Sequence, residues 1–133
     1  MRRIILLFSL ALISYGCNNS LPNDYALVRV SAHQVFVGPE GGWGGRSPII
    51  STKVLKLNSY QHFILAYRQG LMPESKENGA IRYMIPDPNK FDYWILNTEI
   101  PKVYSELTKM EFENKKKELG IPASIELKSS YDY

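Results

Sequence analysis

The chain has one cysteine, Cys17, which directly follows a short apolar segment near the N-terminus. A single cysteine allows neither an internal disulfide nor a zinc site built on cysteine pairs, so hydrophobic burial must hold the fold together. Residues 4–13 (IILLFSLALI) form the apolar segment, after Arg2 and Arg3. Because a bilayer-spanning helix needs about 20 residues, this run has the length of a secretory signal. We predict that residues 1–16 are a cleaved signal peptide.

The position of the cysteine resembles that in bacterial lipoprotein signals, in which the thiol is diacylated and the chain is cut before it. Gly16 matches the small residue of that pattern, whereas Ser14 and Tyr15 replace the usual leucine and small residue. The resemblance implies lipidation of Cys17, a lipidated tether over residues 17–24 and a membrane as partner. Two or three acyl chains anchor a protein firmly. The alternative is an ordinary secretory signal in which Cys17 has no role.

The charge balance argues against nucleic acid as a partner. The chain has 16 basic and 13 acidic residues, and loss of Arg2 and Arg3 with the signal leaves 14 basic ones. A nearly neutral domain lacks the basic surface that phosphate backbones require. We predict an extracytoplasmic protein of the cell envelope. Asn18 replaces the aspartate that often retains lipoproteins in an inner membrane, which allows an outer-membrane location in a cell with two membranes.

Residues 25–133 are predicted to form a single domain, because the mature length is too short for two cores. β-branched and aromatic residues predict strands at 25–30, 34–37, 49–57, 62–68, 80–85, 90–97 and 102–105, with a last short strand at 125–127. Turns are predicted at 58–60 and at 86–89 (PDPN), and an exposed connection at 70–79. The predicted architecture is α+β: an antiparallel β-sheet of about six or seven strands with one C-terminal α-helix packed on it.

The helix is predicted from its ends. Thr108 and Glu111 have the spacing of a capping box, and Gly120 supplies the stop after a body over residues 109–119. The lysines at 115–117 suit the negative end of the helix dipole. We interpret this lysine run as a solvated face balanced by nearby glutamates.

The mature chain from Tyr25 to Leu127 resembles a family of small bacterial lipoproteins whose domain has no assigned function. The likeness rests on LVR at 27–29, SAH at 31–33, YWIL at 93–96, VY at 103–104, EF at 111–112 and LGIP at 119–122. These are mostly strand, turn and cap residues. The resemblance therefore implies a membrane-tethered extracytoplasmic protein and brings no activity or site residues with it.

The loop at residues 38–48 is the most suggestive segment for binding. It has five glycines in eleven positions and carries Trp43 and Arg46, which are residue types enriched at binding hot spots. We predict that Trp43 and Arg46 are partner-binding residues. The alternative is that Trp43 folds back onto the sheet as a core residue.

No local pattern predicts catalysis, a metal or a cofactor. Residues 45–49 (GRSPI) lack the last glycine of a nucleophile elbow. Neither His33 nor His62 has a second ligand at helical or turn spacing. The carboxylates Asp87, Asp92 and Glu99 lack the spacing of a calcium loop and are interpreted as turn and surface residues.

We therefore predict a membrane-anchored lipoprotein that is not an enzyme and acts as a binding module for another envelope protein or a surface ligand. One alternative is a small inhibitor or immunity-type protein that blocks an extracellular enzyme through the 38–48 loop. A further alternative is an envelope hydrolase, which would need His33 or His62 beside a carboxylate and a hydroxyl.

Overall fold

The computed structural model of the chain describes residues 21–40, 48–74 and 83–133. Within them, strands β1 and β2 form one two-stranded sheet, and the other five strands form a second sheet in the order β6-β5-β4-β3-β7. Every pair is antiparallel. The elements are β1 (Tyr25–Arg29), β2 (Val35–Pro39), β3 (Val54–Tyr60), β4 (Phe63–Pro73), β5 (Met84–Asn97), β6 (Lys102–Leu107), α1 (Lys109–Glu118) and β7 (Lys128–Ser129). The predicted α+β class is confirmed, with the strands divided between two sheets.

The five-stranded sheet is buried on both faces because its central strands alternate between two cores. On β4, Ile64 and Ala66 face one core, whereas Phe63 and Leu65 face the other. On β5, Trp94 and Leu96 join the first core and Ile95 joins the second. Alternation with period two places successive side chains on opposite faces, so the sheet is the middle layer of the fold.

The β1–β2 hairpin covers one face, which we call the hairpin face. Tyr25, Val35 and Val37 pack there against the sheet, together with Leu21 and Ile50. Val37 and Ile50 also exchange two backbone hydrogen bonds of 3.0 Å. The chain therefore passes alongside β2 at Ile50 before β3 begins.

Helix α1 covers the opposite face, which we call the helix face. Phe112 and Ile121 pack there against Leu65 and Ile95. The capping box is confirmed: the Thr108 hydroxyl accepts from the Glu111 N–H at 3.2 Å, and the Glu111 carboxylate accepts from the Thr108 N–H at 3.1 Å. Gly120 ends the helix at φ 74°, a backbone region that favours glycine. None of the helices in the described residues has the length and hydropathy required to cross a bilayer.

Several predicted strand and turn positions are wrong, including the start of the connection predicted at 70–79, which belongs to β4. The predicted turn at 58–60 belongs to β3, and the chain reverses at Gln61 and His62 instead. The predicted PDPN turn lies inside β5, and β4 continues through Pro73. Pro86 is tolerated because that part of β5 pairs with β4 alone, so its other edge needs no backbone donor. The last strand is Lys128–Ser129, while Ile125 and Leu127 pack on the helix-face core.

Candidate functional site

Three residues predicted from the sequence to carry function, Cys17, Trp43 and Arg46, lie outside the described residues. Lipidation of Cys17 and partner binding by the 38–48 loop therefore stay predictions. The described ends of that loop are Gly38 to Glu40 and Pro48.

The two histidines lie in different places and neither forms a nucleophile–base pair. His62 Nδ1 is 3.4 Å from Glu99 Oε2, on an exposed carboxylate. His33 lies in the β1–β2 connection, and its Nδ1 is buried without a hydrogen-bond partner. Across residues 21–40, 48–74 and 83–133, no hydroxyl hydrogen-bonds to either imidazole, and no group of three or more His, Cys, Asp or Glu side chains could hold a metal ion.

Asp92 is not the turn residue predicted from the sequence but half of a buried ion pair on the hairpin face. Its two oxygens accept from Arg68 Nε and Nη2 at 2.8 Å each. Arg68 Nη1 donates to the Thr52 carbonyl at 3.0 Å, and the Trp94 indole N–H donates to Asp92 at 2.7 Å. Arg68 and Asp92 are 6% and 7% exposed. Because nearly every donor and acceptor is used inside the core, this group holds strands together rather than receiving a ligand.

An open cleft on the helix face is a candidate site. It has a volume of about 430 Å³ and lies between α1, the sheet and residues 123–127. Its wall carries both cations and acids, from β3, α1 and residue 126: Lys56, Lys109, Lys116, Glu113 and Glu126. We call it the helix-face cleft.

Aromatic rings line the sheet side of the helix-face cleft. Tyr67 and Tyr93 are direct cross-strand partners on β4 and β5, with ring centroids 4.9 Å apart. Tyr93 in turn stacks on Phe112 of α1 at 4.6 Å, and Phe91 stacks on Tyr67 at 5.9 Å. Such contacts fix ring positions, so the cleft has a preformed aromatic side.

Lys116 is the unusual residue of this cleft. The sequence predicted it to be solvated, but it is only 2% exposed. Helix spacing explains the error, because residue 116 is one turn after Phe112 and shares its buried face. The Lys116 ammonium lies 5.1 Å from the Phe112 ring centroid, and its contact with Glu113 Oε2 is long, at 3.4 Å. A buried lysine without a close ion pair is rare.

The helix-face cleft offers hydrogen-bond donors to a ligand. Burial, and then the nearby Tyr93 and Asp92, raise the pKa of Tyr67 above its ordinary value of 10.0. The Tyr67 hydroxyl therefore stays protonated at neutral pH and can donate a hydrogen bond. The ammonium of Lys116 has three donors, of which Glu113 accepts one.

Sequence reasoning missed this cleft, although part of its signal was present. The spacing of Phe112 and Lys116 places both on one helix face, which indicates that one lysine of the run lies against the sheet. The pairing of Tyr67 with Tyr93 depends on strand register, which the sequence pattern does not specify.

Comparison with known proteins identifies the family. The family model described as "Protein of unknown function (DUF3997)" matches residues 22–131. The chain belongs to this family. No curated protein and no solved structure gives a significant match.

The DUF3997 match confirms the predicted resemblance to a family of unknown function. It spans both sheets and α1, and so includes Lys116, Tyr67 and Tyr93 of the helix-face cleft. It begins after Cys17 and carries no statement about lipidation. The family brings no catalytic residues to this chain.

Proposed function

We propose that this DUF3997 protein is a non-catalytic binding module, tethered to the cell envelope by lipid on Cys17. We further propose that the helix-face cleft binds a small ligand with an anionic group and a flat apolar part. The buried ammonium of Lys116 in the wall of an open, aromatic-lined cleft carries this proposal.

Burial of the Lys116 ammonium has a free-energy cost. Taking an ammonium out of water is unfavourable unless an anion compensates it. Glu113 does so only weakly, because its oxygen is 3.4 Å away and its side chain is 42% exposed. A ligand carboxylate or sulfonate in the cleft would pair with Lys116 at closer range, where charge-assisted hydrogen bonds are strong.

The aromatic side of the cleft can bind the apolar part of a ligand. Tyr67, Tyr93 and Phe112 all line it, and an aromatic ligand can stack on such rings. The absence of a hydroxyl–imidazole pair among the described residues supports binding rather than hydrolysis.

The cleft is tested with 8-anilinonaphthalene-1-sulfonate, an aromatic anion whose fluorescence rises on binding. We expect Lys116→Met to weaken its binding at least tenfold. Lys117→Met is the matched control, because Lys117 is the exposed neighbour and should bind the probe as the wild type does. N-phenyl-1-naphthylamine, which lacks the sulfonate, should bind both variants equally. Equal binding of the sulfonate by Lys116→Met would contradict the proposed site.

The tether is tested separately, with metabolic labelling by an alkyne fatty acid. We expect label on the wild type and none on Cys17→Ala, and globomycin should block cleavage of the signal. A mature protein with an unmodified thiol at residue 17 would favour the ordinary secretory signal.

A further inference from the structure

A second cavity lies at the β1–β2 hairpin and shares no lining residue with the helix-face cleft. Its volume is about 450 Å³, and it forms where the β1–β2 connection meets the residue before β3 and the C-terminal turn. Its polar lining comes from Arg29, Ser31, His33, Lys53 and Tyr131. We call it the basic cavity.

The charges of the basic cavity all have one sign. Arg29 and Lys53 carry positive charges, and no carboxylate lines the cavity within the described part of the chain. In the helix-face cleft, by contrast, Glu113 and Glu126 stand among the lysines. An acid-free cluster of cations in a concave site attracts an anion.

The Arg29 guanidinium is held by the C-terminal turn, and the backbone of Lys53 is held by β4. The Arg29 guanidinium lies over the Tyr131 ring, with 5.0 Å from Cζ to the ring centroid, and its Nη2 donates to the Ser130 carbonyl. Lys53 exchanges two backbone hydrogen bonds with Gln69, of 2.8 and 3.0 Å. Its ammonium makes no ion pair with any described residue, so its donors remain available to a ligand.

His33, which also lines the basic cavity, has an unsatisfied polar atom. Its Nδ1 is buried and has no hydrogen-bond partner among the described residues. Buried polar atoms are nearly always paired, and an unpaired one destabilises the fold. The His33 ring lines the basic cavity, so a bound anion would lie beside it.

We propose that the basic cavity is a binding site for a tetrahedral oxyanion of the phosphate class. Arginine and lysine are the side chains that bind phosphate oxygens through charge-assisted hydrogen bonds. The phosphate could belong to a soluble phosphate ester or to an anionic phospholipid headgroup. The same atoms bind it in both cases.

The experiment uses the full chain in zwitterionic detergent, with ¹⁵N-labelled histidine. The chain has two histidines, so His62→Gln assigns the His33 ring signals and His62 serves as an internal control. We expect inorganic phosphate to shift the His33 signals with saturation and to leave those of His62 unchanged. No saturable shift of His33 in millimolar phosphate would overturn the proposal.

Substitutions locate the anion. Arg29→Gln and Lys53→Gln should each weaken phosphate binding at least tenfold. Lys102→Gln is the matched control, because this exposed lysine is on β6, at the opposite edge of the sheet from the basic cavity. Equal affinity in all three variants would overturn the site. If the His33 spectrum of a variant shows that the fold is lost, Arg29→Lys, which keeps the charge, should retain binding within a few-fold.

Two further titrants distinguish the source of the phosphate. Glycerol 3-phosphate represents a soluble ester, and dihexanoyl phosphatidylglycerol below its micelle concentration represents a headgroup. Tighter binding of either one, with loss in Lys53→Gln, supports the oxyanion site and assigns its source. Binding of the lipid that Lys53→Gln leaves unchanged would contradict it.

Discussion

Within the part of the chain that the structure describes, each face of the five-stranded sheet buries one cation, and the two cations have different partners. On the hairpin face, Arg68 makes two hydrogen bonds of 2.8 Å to Asp92 and a third to the Thr52 carbonyl. On the helix face, the ion-pair contact of Lys116 is longer, at 3.4 Å, and joins it to the partly exposed Glu113. Both cations are almost fully removed from solvent.

The difference indicates which buried charge belongs to the scaffold and which is available for binding. A buried ion pair offsets its desolvation only when hydrogen bonds satisfy the remaining donors. Arg68 meets that condition within the fold, whereas Lys116 lines an open cleft with donors to spare. Substitutions on one face, with matched controls on the other, test this difference between Arg68 and Lys116.

Arg68→Met has the largest expected effect. The substitution leaves the Asp92 carboxylate buried with only the Trp94 indole as a close donor. Removing one member of a buried pair costs about 3–5 kcal/mol of unfolding free energy, measurable by urea denaturation. The double variant Arg68→Met/Asp92→Leu should recover most of that loss. A single-variant loss below about 1 kcal/mol would show that Arg68 is not a scaffold charge.

Trp94→Phe tests the same group with a smaller change. It keeps an aromatic ring in the core but removes the N–H that donates to Asp92 at 2.7 Å. Because hydrogen bonds to charged groups contribute about 1.5–3 kcal/mol, we expect a loss of that size in urea denaturation. Tyr93→Phe is the control on the helix face, since the Tyr93 hydroxyl makes no hydrogen bond with the described residues, and it should change stability little. Similar losses in both variants would refute the contrast between the faces.

Thr108→Ala tests the helix that forms the cleft. It removes the hydroxyl that accepts from the Glu111 N–H, and loss of such a cap costs about 1 kcal/mol. Thr108→Ser keeps the acceptor and should keep the stability. Thermal unfolding followed by circular dichroism measures both, and equal melting temperatures for all three proteins would show that the cap is unimportant.

The same cap gives a pH dependence. Hydrogen bonding to the Thr108 backbone N–H, and then to its side chain, lowers the pKa of Glu111 below its ordinary value of 4.5. A carboxyl with a lowered folded pKa stabilises the fold above its unfolded pKa and loses that contribution as the pH falls through the folded pKa. The melting temperature of the wild type should therefore fall more steeply below about pH 4.5 than that of Glu111→Gln. Parallel curves would contradict the assignment.

The sequence predicted features that depend on near neighbours. The capping box, the glycine stop at Gly120 and the strand at 90–97 follow from spacing and residue type, and the structure has them. Trp94, within that strand, is buried in the hairpin-face core.

Features set by strand pairing were missed. PDPN is a strong turn signal, yet Pro86 pairs with Leu71 of β4 and pairing resumes at Phe91 opposite Gln69, so residues 87–90 are an irregularity within β5 and not a turn between two strands. Asp92 is a buried ion-pair residue because the strand register places it directly opposite Arg68. This pairing joins residues far apart in the sequence, so a local sequence pattern does not predict it. The helix-face cleft depends on the same register, through Tyr67 and Tyr93.

Lys116→Met has the smallest expected effect on stability. It is also the most direct test of whether Lys116 and Arg68 have different roles. Methionine replaces the buried stem with apolar volume, and Glu113 is left partly solvated rather than buried. The unfolding free energy should therefore change by less than about 1 kcal/mol, and Lys117→Met should match it. A loss near that of Arg68→Met would make Lys116 a second scaffold charge. A near-zero change in unfolding free energy, together with loss of binding of the aromatic sulfonate, would mean that the fold does not need the buried ammonium for stability. That result is expected of a binding residue.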